Sequence, residues 1–536
     1  MLFTVVCTGM FDTQLKSVCD ADLIVIGAGA TGAAVAYEAC RRGLRTVLLE
    51  QGDIGCATSC RSTKLLHGGV RYLELAFKNF DLAQLRLVRE ALIERGHWLR
   101  QAPFLTRKLE LALPTSHWYE RAYYSIGLNF YDALAGTKNI GSSRQVSRQE
   151  LQKLLPKICS GPTGGVAYTD CQFDDARLNL LLALTAERAG AIISCHSRVI
   201  AFEKDARGRL NSVLTEGRDG SQQRWRAQAV VNATGIQADN IRQMADPAIA
   251  PRILTSRGVH IVLEASLCPE GVGMLLPTTE DGRVLFVLPF FGRTLVGTTD
   301  TPCPLDAAAT PSRQEQSYLI EHVRPWFPDL GELIISSCWA GGRPLLRPAS
   351  SNMTSNQIIR EHEVETMNCG LVSVMGGKWT TCRLMAEAAL EAVETFLEKS
   401  LPLPANLPLV GAAVEESQTL KLLAAQRHEL RLLLPDSTLQ DSQLDHLQSS
   451  HGLEALALIQ AAPEKSRYPL SAVIPLCQAE IDYAINSEHA QTPTDVLARR
   501  CRLAMVDLAE AHRLLPLVQR SLQKQGLPEQ DLDIQK

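Results

Sequence analysis

No run in this sequence approaches the ~18 consecutive apolar residues that a membrane-spanning helix needs. The longest candidate, Leu178 to Ala186, is interrupted by Asn179 and Thr185. Basic residues are not in excess. The 54 Lys and Arg stand against 58 Asp and Glu, a net charge of −4, which argues against a nucleic-acid partner. No Cys-x-x-Cys pair occurs among the 15 cysteines, which scatter from Cys7 to Cys501. That spacing speaks against a disulfide framework or a metal site and for reduced, buried thiols. Met1 to Ala21 lacks the basic start and the apolar core of a signal peptide. Internal repeats and low-complexity tracts are also missing. Together these absences predict a soluble, intracellular chain that binds no metal.

What is present is ordinary globular composition, 46% apolar and 21% charged, spread over 536 residues. That length exceeds one hydrophobic core and predicts two or three packed units.

The first unit opens with a complete βαβ pattern. Residues 22–27 (Asp-Leu-Ile-Val-Ile-Gly) read as a buried parallel strand. Ala33 to Arg42 reads as a helix closed by Gly43, and residues 45–50 as the next strand. Between strand and helix lies Gly27-Ala-Gly29-Ala-Thr-Gly32, a GxGxxG in the context that its physics requires. The first glycine makes the tight turn and the second lets the backbone approach a pyrophosphate. The third allows close helix–strand packing, and the helix N-terminus faces the anion. Glu50, ending the second strand, is placed to accept hydrogen bonds from ribose hydroxyls, and its charge disfavours a 2′-phosphate. This fingerprint fits FAD and NAD alike.

Further along, helices are expected over 79–101 and 173–190, and strands over 191–202 and 226–233. The stretch 256–300 alternates short strands with turns, as in an antiparallel sheet of a second domain. A strand over 371–376 and a helix over 378–398 follow. Pro402, Pro404 and Pro408 mark 400–413 as a linker, beyond which the pattern is helical. Two later glycine turns tip the cofactor toward FAD. Asn232-Ala-Thr-Gly235 offers a second approach to the dinucleotide, and Gly376-Gly377-Lys378 introduces a helix whose dipole suits reduced flavin.

These residues resemble the family of FAD-dependent glycerol-3-phosphate dehydrogenases, in the D-amino-acid-oxidase-like superfamily. The resemblance is strongest at Cys56-Ala-Thr-Ser-Cys-Arg-Ser-Thr-Lys-Leu-Leu-His-Gly-Gly-Val-Arg-Tyr-Leu73. It continues through Asp174-Asp-Ala-Arg-Leu178, Gly297-Thr-Thr-Asp300, Gly342-Arg-Pro-Leu345, Gly376-Gly-Lys-Trp-Thr-Thr381 and Asp495-Val-Leu-Ala-Arg-Arg500. Two departures stand out. Ile236-Gln237 replaces a Pro-Trp-like pair, and Arg360-Glu361-His362 replaces an Arg-Asp-His stretch.

The resemblance implies an α/β + α architecture: a Rossmann-like FAD-binding domain (20–75, 145–255 and 345–400), an inserted α+β substrate domain (76–144 and 256–344) and a helical C-terminal domain (414–536). It implies oxidation of sn-glycerol 3-phosphate to dihydroxyacetone phosphate by hydride transfer to flavin N5. His260 is then the candidate base. Arg343 is a second catalytic and substrate-binding candidate, with Arg71, Tyr72, Lys378 and Thr380 around the substrate. Thr58, Ser62, Lys64 and His67 join Gly27, Gly29, Gly32, Glu50, Gly235 and Gly377 around the cofactor. Arg499 and Arg500 read as a solvated helix face.

Electrons are expected to pass to a quinone. The chain would then be cytoplasmic, with peripheral contact at the inner face of the cytoplasmic membrane. Nothing in the pattern opposes a homodimer. Three other readings compete: an oxidase using oxygen, a related amine oxidase, and a non-catalytic FAD-binding regulator. The Lys64 to Leu73 stretch argues against the amine oxidase. The set of Arg71, His260, Arg343 and Lys378 argues against a dead site.

Overall fold

The computed structural model describes residues 16–70, 82–276, 279, 284–347, 361–397 and 400–535. Two sheets dominate it. In the first, strand β1 (Lys16–Ile26) lies between β2 (Thr46–Leu49) and the strand Gln222–Asn232, parallel to both. Ile192–Ser194 extends the sheet beyond β2, and Leu371–Gly376 extends it beyond Gln222–Asn232, again in parallel. His362–Thr366 closes that edge antiparallel. Ile26 sits level with Leu49 on one side and Asn232 on the other, so three strands end together.

Both faces of β1 are covered over Leu23–Ile26, which is why that stretch is a continuous apolar run. Leu23 and Val25 face the helices, while Ile24 and Ile26 face the opposite core with Val47, Leu49 and Trp225. Helix α1 (Ala30–Arg41) is buried between the helices Asp175–Arg188 and Cys382–Glu394, and its alanines allow that close approach. Asp174 caps Asp175–Arg188, its carboxylate accepting from the N–H groups of Ala176 and Arg177 at 3.1 Å.

Among the described residues the second sheet has ten strands and is mostly antiparallel. Its long strand Ile253–Leu263 pairs antiparallel with both Arg293–Gly297 and Ile335–Leu346. Beyond residues 400–409, which carry no regular structure, the C-terminal part is helical: Thr419–Leu433, Gln440–His451, Glu454–Ala461, Gln478–Ser487 and Leu508–Lys524. The proline-rich linker is packed against α1. Tyr37 donates to the Leu407 carbonyl at 2.5 Å and Arg41 to that of Ala405 at 2.8 Å.

The fold class is as expected, and three details differ. The stretch 191–202 is two strands, broken at His196, whose φ is 52°. Gly164–Phe173 and Arg144–Ser147 pair with the second sheet, not the nucleotide-binding one, which moves the boundary drawn at 145. Gly164–Phe173 is buried on both faces, so its sequence shows no alternation to mark it as a strand. Leu65–Leu66 also belongs to the second sheet.

Candidate active site

The C-terminal ends of β1, β2 and Gln222–Asn232 open onto one cleft of about 540 Å³. The chain order reverses here: β2 lies to one side of β1 and Gln222–Asn232 to the other, the place where open parallel sheets bind ligands. Gly27, Gly29, Glu50, Thr58, Ser62, His67, Gly235, His260, Arg343, Gly377, Lys378 and Thr380 all line it. Arg71 and Tyr72 lie outside the described residues.

The cradle is built on clearances that only glycine leaves. Gly27 has φ +97°, and a Cβ there would sit 2.8 Å from the Ala233 carbonyl oxygen. At Gly32 a Cβ would fall 1.7 Å from the Gly27 oxygen, so this glycine acts underneath the cleft by letting α1 abut the turn. The α1 N-terminus therefore points into the cleft, where its dipole favours an anion. Ser59 stands beside it, its Oγ accepting from the Ala30 N–H at 2.8 Å. Glu50 accepts from the Ala28 N–H at 2.8 Å and the Gly52 N–H at 2.9 Å. Burial pushes its carboxyl up, against those two N–H groups. Oε1 also accepts from the Cys56 thiol at 3.8 Å, while Oε2, with one partner, keeps lone-pair capacity for a ribose hydroxyl. A tight glycine turn, a helix N-terminus and an acid at the end of β2 fit the ADP half of a dinucleotide.

The opposite wall comes from the second sheet. Register sets His260 opposite Gly297 and Trp339, and Ser256 opposite Arg343. Gly258 and Gly297 make room for the Arg343 and His260 side chains. A Cβ on Gly258 would lie 2.1 Å from an Arg343 nitrogen, and one on Gly297 2.2 Å from the His260 ring. Arg343 donates to Thr298 Oγ1 at 2.8 Å and approaches Asp300 at 3.5 Å. The His260 ring stacks on Trp339 with centroids 4.5 Å apart, and its Nε2 is 3.0 Å from Thr63 Oγ1. Burial, then Lys64 and Arg343, holds this imidazole well below the usual histidine range, so it is neutral.

Two expectations need correction. Lys64 does not line the cleft. It is buried, with Nζ donating to the Cys60 carbonyl and to both oxygens of Asp175 at 2.7–2.8 Å. Burial and Arg502 pull its ammonium down to about 8, against Asp175. It is a strut beneath the loop that presents Ser62 and Thr63. Arg499 and Arg500 are not solvated. Both are buried and both bind Asp53, on the loop that follows β2, at 2.6 Å. The C-terminal domain thus grips the cofactor loop directly.

The cleft also holds residues that sequence reasoning passed over: Ser59, Arg61, Thr63 and Thr298. Arg61 donates to the carbonyls of Ala340 at 3.2 Å and Gln535 at 3.4 Å. Ser59, Arg61 and Thr63 sit in the same polar loop as Thr58 and Ser62, so the signal that picked the latter covers them too.

Residues 22–392 match the model of the FAD dependent oxidoreductase family, and residues 404–526 match that of the C-terminal domain of alpha-glycerophosphate oxidase. The probable mitochondrial glycerol-3-phosphate dehydrogenase of Dictyostelium discoideum is 36% identical over 520 residues, 93% of this chain and 80% of the relative. The chain belongs to the FAD-dependent glycerol-3-phosphate dehydrogenase family. The mitochondrial enzyme of Mus musculus is likewise 36% identical, over 94% of this chain and 70% of its own length. Among solved structures, the Bacillus halodurans glycerol-3-phosphate dehydrogenase complexed with FAD superposes with a TM-score of 0.75 at 26% identity, over 94% of this chain and 90% of that one. The L-α-glycerophosphate oxidase of Mycoplasma pneumoniae, at 18% identity and a TM-score of 0.56 over 72% of this chain and 97% of its own, shares the fold. Ile236 and Gln237, the departure noted in the sequence, line the cleft. No helix among the described residues is long and apolar enough to cross a membrane.

Proposed function

We propose that this chain oxidises sn-glycerol 3-phosphate to dihydroxyacetone phosphate, with His260 as base and Arg343, Lys378, Arg71 and Tyr72 around the substrate. The observation that carries this reading is the placement of His260 and Arg343 on neighbouring strands, both facing the cleft into which the dinucleotide cradle opens. Bound FAD supplies the acceptor for the hydride that leaves C2.

The chain's own part is to bind, orient and deprotonate. A phosphate dianion needs fixed cations, and the planar guanidinium of Arg343 is held in place by Thr298 and Asp300. Lys378 and Thr380 approach from the turn before Cys382–Glu394, where Trp98 fixes the backbone by donating to the Thr380 carbonyl at 3.2 Å. His260, held neutral, can take the hydroxyl proton as the carbonyl forms. Thr58 is pinned by its hydroxyl bond to the Gly342 carbonyl at 2.5 Å, which ties the cofactor loop to the strand that carries Arg343.

We further propose that the electrons pass to a quinone, with the chain working on the cytoplasmic side of a membrane. In support, Trp118, Tyr119, Tyr123 and Ile126 are exposed on one helix, Trp118–Ala135, and such aromatic residues favour the lipid–water interface. Anaerobic mixing with glycerol 3-phosphate should bleach the flavin absorption, and a soluble quinone should restore it. Flavin that the substrate never bleaches would reject the reading. Rapid reoxidation by oxygen with peroxide release would replace the quinone acceptor with oxygen.

A further inference from the structure

His260 borders the cleft, yet only 2% of it is exposed. Its flat face is taken by Trp339, and its Cδ2–Nε2 edge lies over the backbone of Gly297. Nδ1 is buried and has no hydrogen-bond partner among the described residues. The hydrogen bond that the ring does make is to Thr63, Oγ1 to Nε2 at 3.0 Å. Thr63 is only half-buried and itself lines the cleft. Of this hydrogen-bonded pair at the cleft wall, Thr63 is the more exposed and His260 the more buried. Thr63 is held there from both sides in sequence. Ser62 is bound to Asp175 through both its N–H and its hydroxyl, and Lys64 is bound to Asp175 and the Cys60 carbonyl. The one-residue segment between these two anchors has little freedom to swing away.

We propose that the Thr63 hydroxyl is a proton relay between the C2 hydroxyl of the substrate and Nε2 of His260. The proposal rests on the substrate reading above. In the step, the substrate O–H bond breaks and its proton passes to Thr63 Oγ1, while Thr63's own proton passes to His260 Nε2. The C2–H electron pair leaves with the hydride to FAD, and the oxygen electrons close the C=O bond. Thr63 ends unchanged, His260 ends as imidazolium, and the flavin ends reduced by two electrons. A hydroxyl suits this place because it donates and accepts at once. Burial, then the nearby charges of Lys64 and Arg343, keeps His260 neutral and so able to accept the proton before the step.

The test is the rate of anaerobic flavin reduction by glycerol 3-phosphate in purified, FAD-loaded protein. Thr63→Val keeps shape and removes the hydroxyl. Its rate should fall about 100-fold or more, the scale of general-base catalysis, with FAD content and substrate affinity retained. Thr63→Ser should recover most of the rate. Thr63→Ala gives the same readout if valine disturbs packing. Because the two groups act as a unit, Thr63→Val combined with His260→Asn should be no slower than His260→Asn alone. Wild-type rates in both Thr63→Val and Thr63→Ala, or losses that multiply in the double variant, overturn the relay while leaving the substrate reading intact. A wild-type flavin that glycerol 3-phosphate does not reduce overturns the substrate reading and the relay with it.

Discussion

Replacing Asp53 with Asn should loosen the cofactor loop from a distance. Asp53 Oδ2 accepts from Arg499 Nε and Arg500 Nη1 at 2.6 Å, and Oδ1 from Arg500 Nη2 at 2.7 Å. Burial alone would raise this carboxyl, but Arg500 and Arg499 overcome it and hold the group at about 2. Removing one partner of a buried ion pair destabilises by about 3–5 kcal/mol, because the remaining charge stays buried. Arg499 keeps Asp495, and Arg500 keeps the Glu488 carbonyl, so the lower end, about 3 kcal/mol, is expected. Urea titration followed by circular dichroism measures this loss. FAD titration of the same protein should show weaker binding, since the loop 51–60 carries Glu50's neighbours, Thr58 and Ser59. The pH dependence has a definite sign. A carboxyl depressed from 3.8 to about 2 contributes roughly 2 kcal/mol that is fully present above about pH 4. That contribution fades as pH falls toward 2, and the Asn variant should lack this part of the acid transition. An Asn variant with an unchanged urea midpoint and unchanged FAD affinity would refute the clamp.

Gly32→Ala should purify without flavin, because the new Cβ would meet the Gly27 oxygen at 1.7 Å and force α1 off its turn; a normal flavin spectrum would contradict this. Arg343→Ala removes a charge-assisted contact worth about 1.5–3 kcal/mol, so kcat/KM for glycerol 3-phosphate should drop about 10–150-fold with FAD still bound; unchanged turnover removes Arg343 from the site. Since burial, Lys64 and Arg343 keep His260 neutral, flavin reduction should stay level from about pH 8 down to about pH 6. A rate that halves near the ordinary histidine value contradicts that reading.

The parts of the site that were legible in the sequence are those whose chemistry is local. Gly27, Gly29, Gly32 and Glu50 announce their roles through spacing within one βαβ unit. His260, Arg343 and Lys378 were reached through resemblance, and their sequence neighbours Gly258 and Gly342 hint at close approach. What stayed hidden depends on partners far along the chain. Arg499 and Arg500 look like a polar helix face until Asp53, 446 and 447 residues away, is seen to pair with them. Lys64 looks like a cofactor ligand until Asp175 claims it. Gly164–Phe173 carries no period because both its faces are covered, and no local pattern distinguishes that from a buried helix segment.

The chain passes between the two sheets repeatedly. It crosses from β2 to Leu65–Leu66, from Gly164–Phe173 to Ile192–Ser194, from Gln222–Asn232 to Ile253–Leu263, and from Ile335–Leu346 to His362–Thr366. Hinge closure needs a few residues that can absorb large backbone rotations. Three of these crossings lie wholly among the described residues, and the buried Lys64–Asp175 ion pair ties the first to the second. Such ties resist rotation of one sheet against the other, so turnover should be insensitive to solvent viscosity beyond the diffusion of the small molecules themselves.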